Sequence, residues 1–449
     1  MATGRFAAAC CMLLPLALAA PSIAATAAAE WETLTVQAAN AYTHGAYAES
    51  EHLYTSALLL AEKFGPENER LAATLSNLGT SSRALGRYAD AEKLYRRAID
   101  IWRNSPDKAS SQLAAALNNL AGIYRINTRY AEAERLYKEA LALHEMEPDG
   151  EAAVAVVLSN LGALYQDQRR LDDARQFLTR ALAIQESALG PEDLHVADSL
   201  NALALLYKTE ERYADAEPLY QRSLQICEKT LGPSHPRVAV SLNNLGQLAA
   251  AERDYPRAKR LYERAIGIWE RSNGLDHPDL APALSNLASL YLTQRKYAQA
   301  EALSRRAYEI DKAHFGPSHI TIAHDLNNLG AVAHARRRYD QAEQLLQQSI
   351  AMYERLLSPE NPGLADPMIN LAESYITQKR FSEAVALYRR ALPLRERTLG
   401  ADHPKLAESL ENFAFALRKV EDFAEAEKIE VRATRIRVRA ALQAEARQS

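Results

Sequence analysis

Eight asparagines, Asn77, Asn119, Asn160, Asn244, Asn286, Asn328, Asn370 and Asn412, recur at a stride of 42 residues with one step of 41. Each stands two residues before a Gly or Ala, and Ala202 takes the place of a ninth. A side-chain amide carries two N–H donors and one acceptor oxygen. Asn is a mediocre helix former, so its repetition inside a helical pattern asks for a reason. One reading is a ladder of amides that pairs with the backbone of an extended polypeptide without reading its side chains. The other is that the amides bond between neighbouring helices and hold them together. The two are compatible.

Catalytic and metal chemistry find little support. His235, His277, His319 and His403 recur at one loop position. Loops one repeat apart are too distant to share coordination at about 2 Å, so helix capping is the expected role. No H-E-x-x-H, Cys-x-x-Cys, EF-hand, P-loop, dinucleotide fingerprint or G-x-S-x-G is present. Asp172-Asp173 and Glu210-Glu211 fall on helix surfaces or turns, where solvation accounts for them. The expectation is a protein without catalytic residues, metal or cofactor; an enzyme is the remote alternative. A net charge of −4 and a pI near 6.3 give no basic face for nucleic acid.

The elements that carry these residues follow from the repeat. Units begin at Leu71, Leu113, Val154, Val196, Val238, Leu280, Ile322, Leu364 and Leu406, after a degenerate unit near Trp31 to Glu69. Each holds two apolar patterns of helical period. In one unit the first is Leu242, Leu245 and Leu248, and the second is Tyr255, Ala258, Leu261, Tyr262, Ala265 and Ile268. Period-2 alternation is absent. Gly232-Pro233-Ser234-His235-Pro236 reads as helix punctuation: Gly at a left-handed C′ position, Ser234 or His235 at the N-cap, Pro236 at N1. Pro218 and Pro393 fall inside second helices and are expected to bend them.

Two columns contain only small residues. One is Gly79, Ala121, Gly162, Ala204, Gly246, Ala288, Gly330, Ala372 and Ala414. The other is Ala91, Ala133, Ala174, Ala216, Ala258, Ala300, Ala342, Ala384 and Ala426. Larger side chains there would push helix axes beyond about 8–10 Å. A register of large rings, Tyr88, Tyr130, Tyr213, Tyr255, Tyr297, Tyr339, Phe381 and Phe423, is expected to fill the gaps. One helix pair cannot bury this apolar surface; a stack of pairs buries it as one continuous core.

The pattern N-L-[GA]-x-x-Y…[YF]-x-x-A-E-x-L-Y-x-R-A-L-x-I…L-G-x-x-H-P resembles the tetratricopeptide repeat (TPR) of the kinesin-light-chain type over roughly residues 34–440. The resemblance implies an all-α TPR solenoid, a right-handed superhelix of antiparallel helix pairs, with first helices lining a concave groove. It also implies that the Asn ladder sits in that groove and contacts peptide backbone. One turn past the ladder stand Arg83, Arg125 and Lys208, whereas Asp366, Glu373, Glu408 and Glu411 fall on the same face later in the chain, interrupted by Arg418 and Lys419. A ligand whose acidic segment faces the early units fits this order; ordinary solvated surface is the alternative. The functional expectation is a scaffold that binds a protein or peptide along the groove. A structural assembly part that associates through its convex face or ends is the alternative. Neither the partner's identity nor the oligomeric state is encoded legibly.

Residues 1–24 read as an export signal: Arg5, then the apolar run Phe6 to Ala20, then a small-residue cleavage site at Ser22-Ile23-Ala24 or as far as Ala29. The run is shorter than the roughly 20 residues a membrane span needs. A periplasmic or secreted protein without an integral span in its mature form is expected, with residues 30–69 as the degenerate repeat and 70–449 as nine tandem units ending in a basic capping helix. Removal of the signal leaves Cys227 alone, so an internal disulfide is impossible and the core alone must hold the fold.

Overall fold

Helices form wherever the 3.6-residue apolar period runs unbroken, and they pair because each buries only one stripe. The computed structural model describes residues 23–105 and 110–448, and among these are twenty α-helices and no strand. The export-signal reading lies outside the described residues except for Ile23 and Ala24, which begin the first helix. The first helices of the pairs are α1 (Ile23–Thr43), α3 (Glu69–Ala84), α5 (Ser110–Ile126), α7 (Glu151–Asp167), α9 (Leu194–Thr209), α11 (Pro236–Ala251), α13 (Leu280–Thr293), α15 (Ile320–Ala335), α17 (Ala365–Thr377) and α19 (Pro404–Lys419). The second helices are α2 (Tyr47–Ala61), α4 (Tyr88–Asn104), α6 (Tyr130–Glu145), α8 (Leu171–Leu189), α10 (Tyr213–Leu231), α12 (Tyr255–Asn273), α14 (Tyr297–Phe315), α16 (Tyr339–Leu356), α18 (Phe381–Leu399) and α20 (Phe423–Gln448). Helices α10 and α18 run through Pro218 and Pro393 without a break.

Each helix packs on its partner and on the next pair, and consecutive first helices also touch one another from α3 through α19. No such run of contacts links the second helices among the described residues. First helices therefore lie on the shorter, inner arc and form the concave wall.

Both small-residue columns explain this packing. All nine alanines from Ala91 to Ala426 are fully buried. A Cβ added at Gly162, Gly246 or Gly330 would come within 2.6 Å of Leu178, Tyr262 or Leu346, so the second helix presses its large side chain onto bare backbone. The large residues of the core are thus Tyr95, Tyr137, Leu178, Tyr220, Tyr262, Leu346 and Tyr388, one face round from the expected ring register. In that register Tyr88 is buried, Tyr130 through Phe381 are half-buried and Phe423 is 57% exposed, because these residues open the second helices beside the turn, where only one side is covered.

Loop chemistry is more restrictive than expected at one position and less so at another. Gly190, Gly232, Gly274 and Gly400 end second helices with φ of 85–94° and ψ of 156–170°. This is extended backbone of positive φ, which glycine alone adopts readily, rather than the left-handed helical conformation the sequence suggested. The turn between first and second helices does use the left-handed conformation, yet only Gly45 and Gly86 are glycine there; Thr128, Arg169, Glu211, Arg253, Arg295, Arg337, Lys379 and Glu421 occupy it with φ of 57–66°. Arg253 is exposed and makes no ion pair among the described residues. Left-handed backbone costs an L-residue about 1–2 kcal/mol, partly offset by the greater unfolded freedom of glycine. Arg253→Gly should therefore raise unfolding stability by about 0.5–1 kcal/mol. Urea unfolding of the two proteins checks this, and equal or lower stability of the variant would count against it.

Candidate peptide-binding groove

The eight ladder asparagines lie on first helices of the inner wall, one per helix, on α3, α5, α7, α11, α13, α15, α17 and α19. None is buried; Asn77 is exposed and the others are half-buried. Several amides reach back to the preceding first helix. Asn160 Nδ2 donates to Asn118 Oδ1 at 2.8 Å, Asn286 to Asn243 at 3.0 Å and Asn370 to Asn327 at 2.8 Å. Asn412 Nδ2 donates to Glu373 Oε1 at 3.3 Å, and Asn328 contacts His324 Nδ1 at 3.3 Å within its own helix. In the first three of these links the acceptor is the Asn one position before a ladder residue, and each uses one N–H of the donor. The amides therefore tie first helices together at four ladder positions.

The cations meet different surroundings. Arg125 Nη1 pairs with Asp167 Oδ2 of the next unit at 3.1 Å, and burial pushes that carboxyl up despite the Arg125 guanidinium. Arg83 sits among the rings of Tyr88, Tyr95 and Tyr137 and approaches the Gly122 backbone. Lys208 Nζ donates to Gln247 Oε1 at 2.8 Å and meets no carboxylate within ion-pair distance. The acids are also partly engaged: Asp366 pairs with Arg395 at 3.0 Å, and Glu411 with Arg437. Glu373 is pushed up by burial and by Glu408. Among the described residues Arg83, Lys208 and Glu373 are half-buried on the wall without an ion pair.

A column of basic residues before seven of the second helices, Arg87, Arg129, Arg170, Arg212, Lys296, Arg338 and Arg380, was not singled out from sequence. Arg129, Arg170, Arg212 and Arg380 lie over Tyr124, Tyr165, Tyr207 and Tyr375 at 4.0, 4.2, 4.4 and 3.9 Å from the ring centroids. Arg129 also reaches Glu92 at 2.9 Å, and Arg380 reaches Glu343 at 2.5 Å, joining each turn to the preceding unit. The signal was present in the recurrence of an aromatic residue five places before a basic one.

The groove is bounded by a seam. The turn of one pair meets the loop following a pair four to six units further on. Tyr47 packs on His314 and Phe315 with centroids 5.6 and 6.3 Å apart. His319 stacks on Phe315 at 4.3 Å and covers Gly86, whose added Cβ would lie 2.8 Å from the ring. Asn361 Nδ2 donates to the Ile126 carbonyl at 2.9 Å, and His403 Nε2 lies 3.5 Å from Glu211 Oε1. The superhelix closes on itself along this line, so the concave wall faces a lumen rather than an open trough. The loop histidines cap helices as expected: the Nδ1 atoms of His235, His319 and His403 accept from the backbone N–H two residues on at 3.2, 3.3 and 3.1 Å. Among the described residues no group of three or more His, Cys, Asp or Glu is placed to hold a metal, and no helix is long and apolar enough to cross a membrane.

Comparison with known proteins agrees with this architecture. A family model described as "Tetratricopeptide repeat" matches residues 32–104, 112–187, 153–217, 195–270, 249–313, 320–397 and 370–437. A search of curated proteins returns no match. Among solved structures, BtubC (BKLC) from P. vanneervenii is 28% identical over 52% of this chain and 92% of its own, with a TM-score of 0.40. A putative kinesin light chain with nearly identical TPR-like repeats from Podosopora anserina is 22% identical over 46% of this chain and 98% of its own, with a TM-score of 0.38. A STAND signal-transduction ATPase with a tetratricopeptide repeat sensor from Pyrococcus horikoshii is 15% identical over 76% of this chain and 52% of its own, with a TM-score of 0.48.

Proposed function

Because the chain belongs to the tetratricopeptide-repeat family, a family of protein-interaction scaffolds, we propose that it captures an extended segment of another polypeptide along its concave wall, without catalysis. The observation that carries this reading is the half-buried amide ladder. Three ladder amides spend one N–H on the neighbouring first helix, and the ladder side chains, half-buried on the inner wall, lie along the path an extended backbone would take. Backbone recognition of this kind gives affinity through main-chain hydrogen bonds and leaves side-chain selectivity to the charges on either side. We also propose that the protein acts outside the cytoplasm, on the strength of its first 24 residues.

The test replaces Asn244, Asn286 and Asn328 by Glu. The three carboxylates add like charge and remove the donors, so retention of a partner from envelope extract should fall at least about tenfold, several times 1.4 kcal/mol being accessible from three sites. Circular dichroism checks that the variant stays helical. Undiminished capture by a folded variant would move the binding surface to the convex face or the ends.

A further inference from the structure

At the seam, a cavity of ≈ 580 Å³ lies between the concave wall of α9, α11 and α13 and the loop joining α18 to α19. It is the size of a small-molecule site. Three cations from three separate places in the chain converge on it: Arg169 from the turn before α8, Lys208 near the end of α9 and Lys405 at the start of α19. None of the three makes an ion pair within 4 Å among the described residues. Glu211 is the one carboxylate in the lining, and it faces His403. Glu210, which acts on Arg169 from further away, is already engaged by Arg175 at 2.5 Å and Arg212 at 3.2 Å. The remaining wall supplies neutral donors, Gln247 and Asn286 among them, and tyrosine rings.

We propose that this cavity binds a carboxylate group, which bridges Lys208 of the inner wall to Lys405 and Arg169 across the seam and so clamps successive turns of the superhelix together. The proposal adds a ligand class to the groove reading. A convergence of like charges around one partly buried cavity is costly unless an anion completes it. The Lys208 ammonium bears the mark of that cost: burial first, and Lys405 second, bring its pKa down to about 8. The Arg169 guanidinium is likewise held below its ordinary value by burial. The His403 imidazole has its Nδ1 committed to the Lys405 N–H, so it is neutral with its proton on Nε2 toward Glu211. Glu211 keeps its charge but approaches none of the three cations within 4 Å among the described residues, so the lining holds three cations against one carboxylate.

A carboxylate could come from a free polycarboxylate or from an acidic segment of a polypeptide lying in the groove. Two probes separate these sources on the full-length protein. Citrate is compared with chloride at equal ionic strength by thermal shift and calorimetry, and labelled hexaglutamate is compared with hexaglutamine by anisotropy. The clamp predicts that at least one anion binds and that Lys208→Met with Lys405→Met weakens it tenfold or more. Lys259→Met, a half-buried site on α12 outside the cavity lining, should leave binding unchanged. Binding should also weaken between pH 7 and 9 as Lys208 loses its proton. Citrate binding assigns a free ligand; hexaglutamate binding without citrate binding assigns an acidic segment. Lys405→Met alone, at an exposed position, serves if the double variant fails to fold. If neither anion binds, or if the lysine variants bind as well as the native protein, the proposal is overturned. The citrate arm needs no polypeptide partner, so its failure is distinct from failure of partner capture.

Discussion

Lowering the pH from 7.5 to 5 should open the superhelix and increase its radius of gyration in small-angle scattering, with His319 as the main cause. The imidazole is buried at the seam, stacked on Phe315 and pressed over Gly86. Its Nδ1 accepts from the Thr321 N–H at 3.3 Å, and the Ala84 backbone takes the proton on the other nitrogen. Burial is the largest cause that lowers its pKa from 6.5 to about 4, with His314 adding to it and the Ala84 carbonyl opposing it. A second proton would also displace the Thr321 N–H from Nδ1. A group held below its ordinary value favours the closed state fully above pH 6.5 and progressively less as pH falls toward 4. The full difference is roughly 3 kcal/mol, with about 2 kcal/mol already lost at pH 5. His314 and His403 are lowered by burial as well and act with the same sign.

The neighbouring loop supplies the control. Asn361 holds the position equivalent to His319. Its Oδ1 accepts from the Gly363 N–H at 2.9 Å and its Nδ2 donates to the Ile126 carbonyl at 2.9 Å. Ala84 and Ile126 each end a first helix, whose last carbonyls lack partners within the helix. One side chain thus caps the helix below and satisfies the helix end across the seam, without titrating. His319→Asn should keep the molecule compact and shift or remove most of the acid expansion. Scattering curves that superimpose at pH 7.5 and 5 for the native protein would reject the seam as an acid-sensitive joint.

The second large effect works from the alkaline side. Asp311 on α14 and Asp325 on α15 are 4% and 3% exposed and have no cation beside them. Asp325 Oδ1 meets Ser285 Oγ at 3.5 Å, and its Oδ2 has no fixed partner. Burial raises both carboxyls, and each acts on the other, because two like charges in one dry site do not ionise together. A carboxyl held above its ordinary range favours the fold at low pH and withdraws that support as pH rises. Asp325→Asn keeps a donor toward Asp311 and removes one ionisation. Chemical unfolding should show the variant's advantage over the native protein growing by roughly 2–4 kcal/mol between pH 5 and pH 9. A native stability that does not change between pH 5 and 9 would refute the shared-proton account.

The sequence by itself determined the helices, their pairing and the stack. Those depend on interactions within about one repeat: the apolar period, the proline and histidine caps, and the bare columns at Gly246 and Ala258. Each of these is local enough for its chemistry to be written in neighbouring residues. It also placed the amide ladder on one face, since a fixed stride preserves a fixed register.

Only the tertiary structure decided which ladder N–H groups are spent between helices, because that depends on the angle between successive pairs. It alone revealed the seam. Whether His235 and His319 do the same work is invisible locally: both cap a helix through Nδ1, yet only His319 lies under another turn of the superhelix. The contact between Asn361 and Ile126 spans 235 residues. It exists because a small rotation per pair, set by packing and summed over four to six pairs, returns the chain to itself. No segment of sequence encodes that sum, and the cation cavity formed by Arg169, Lys208 and Lys405 is its direct product.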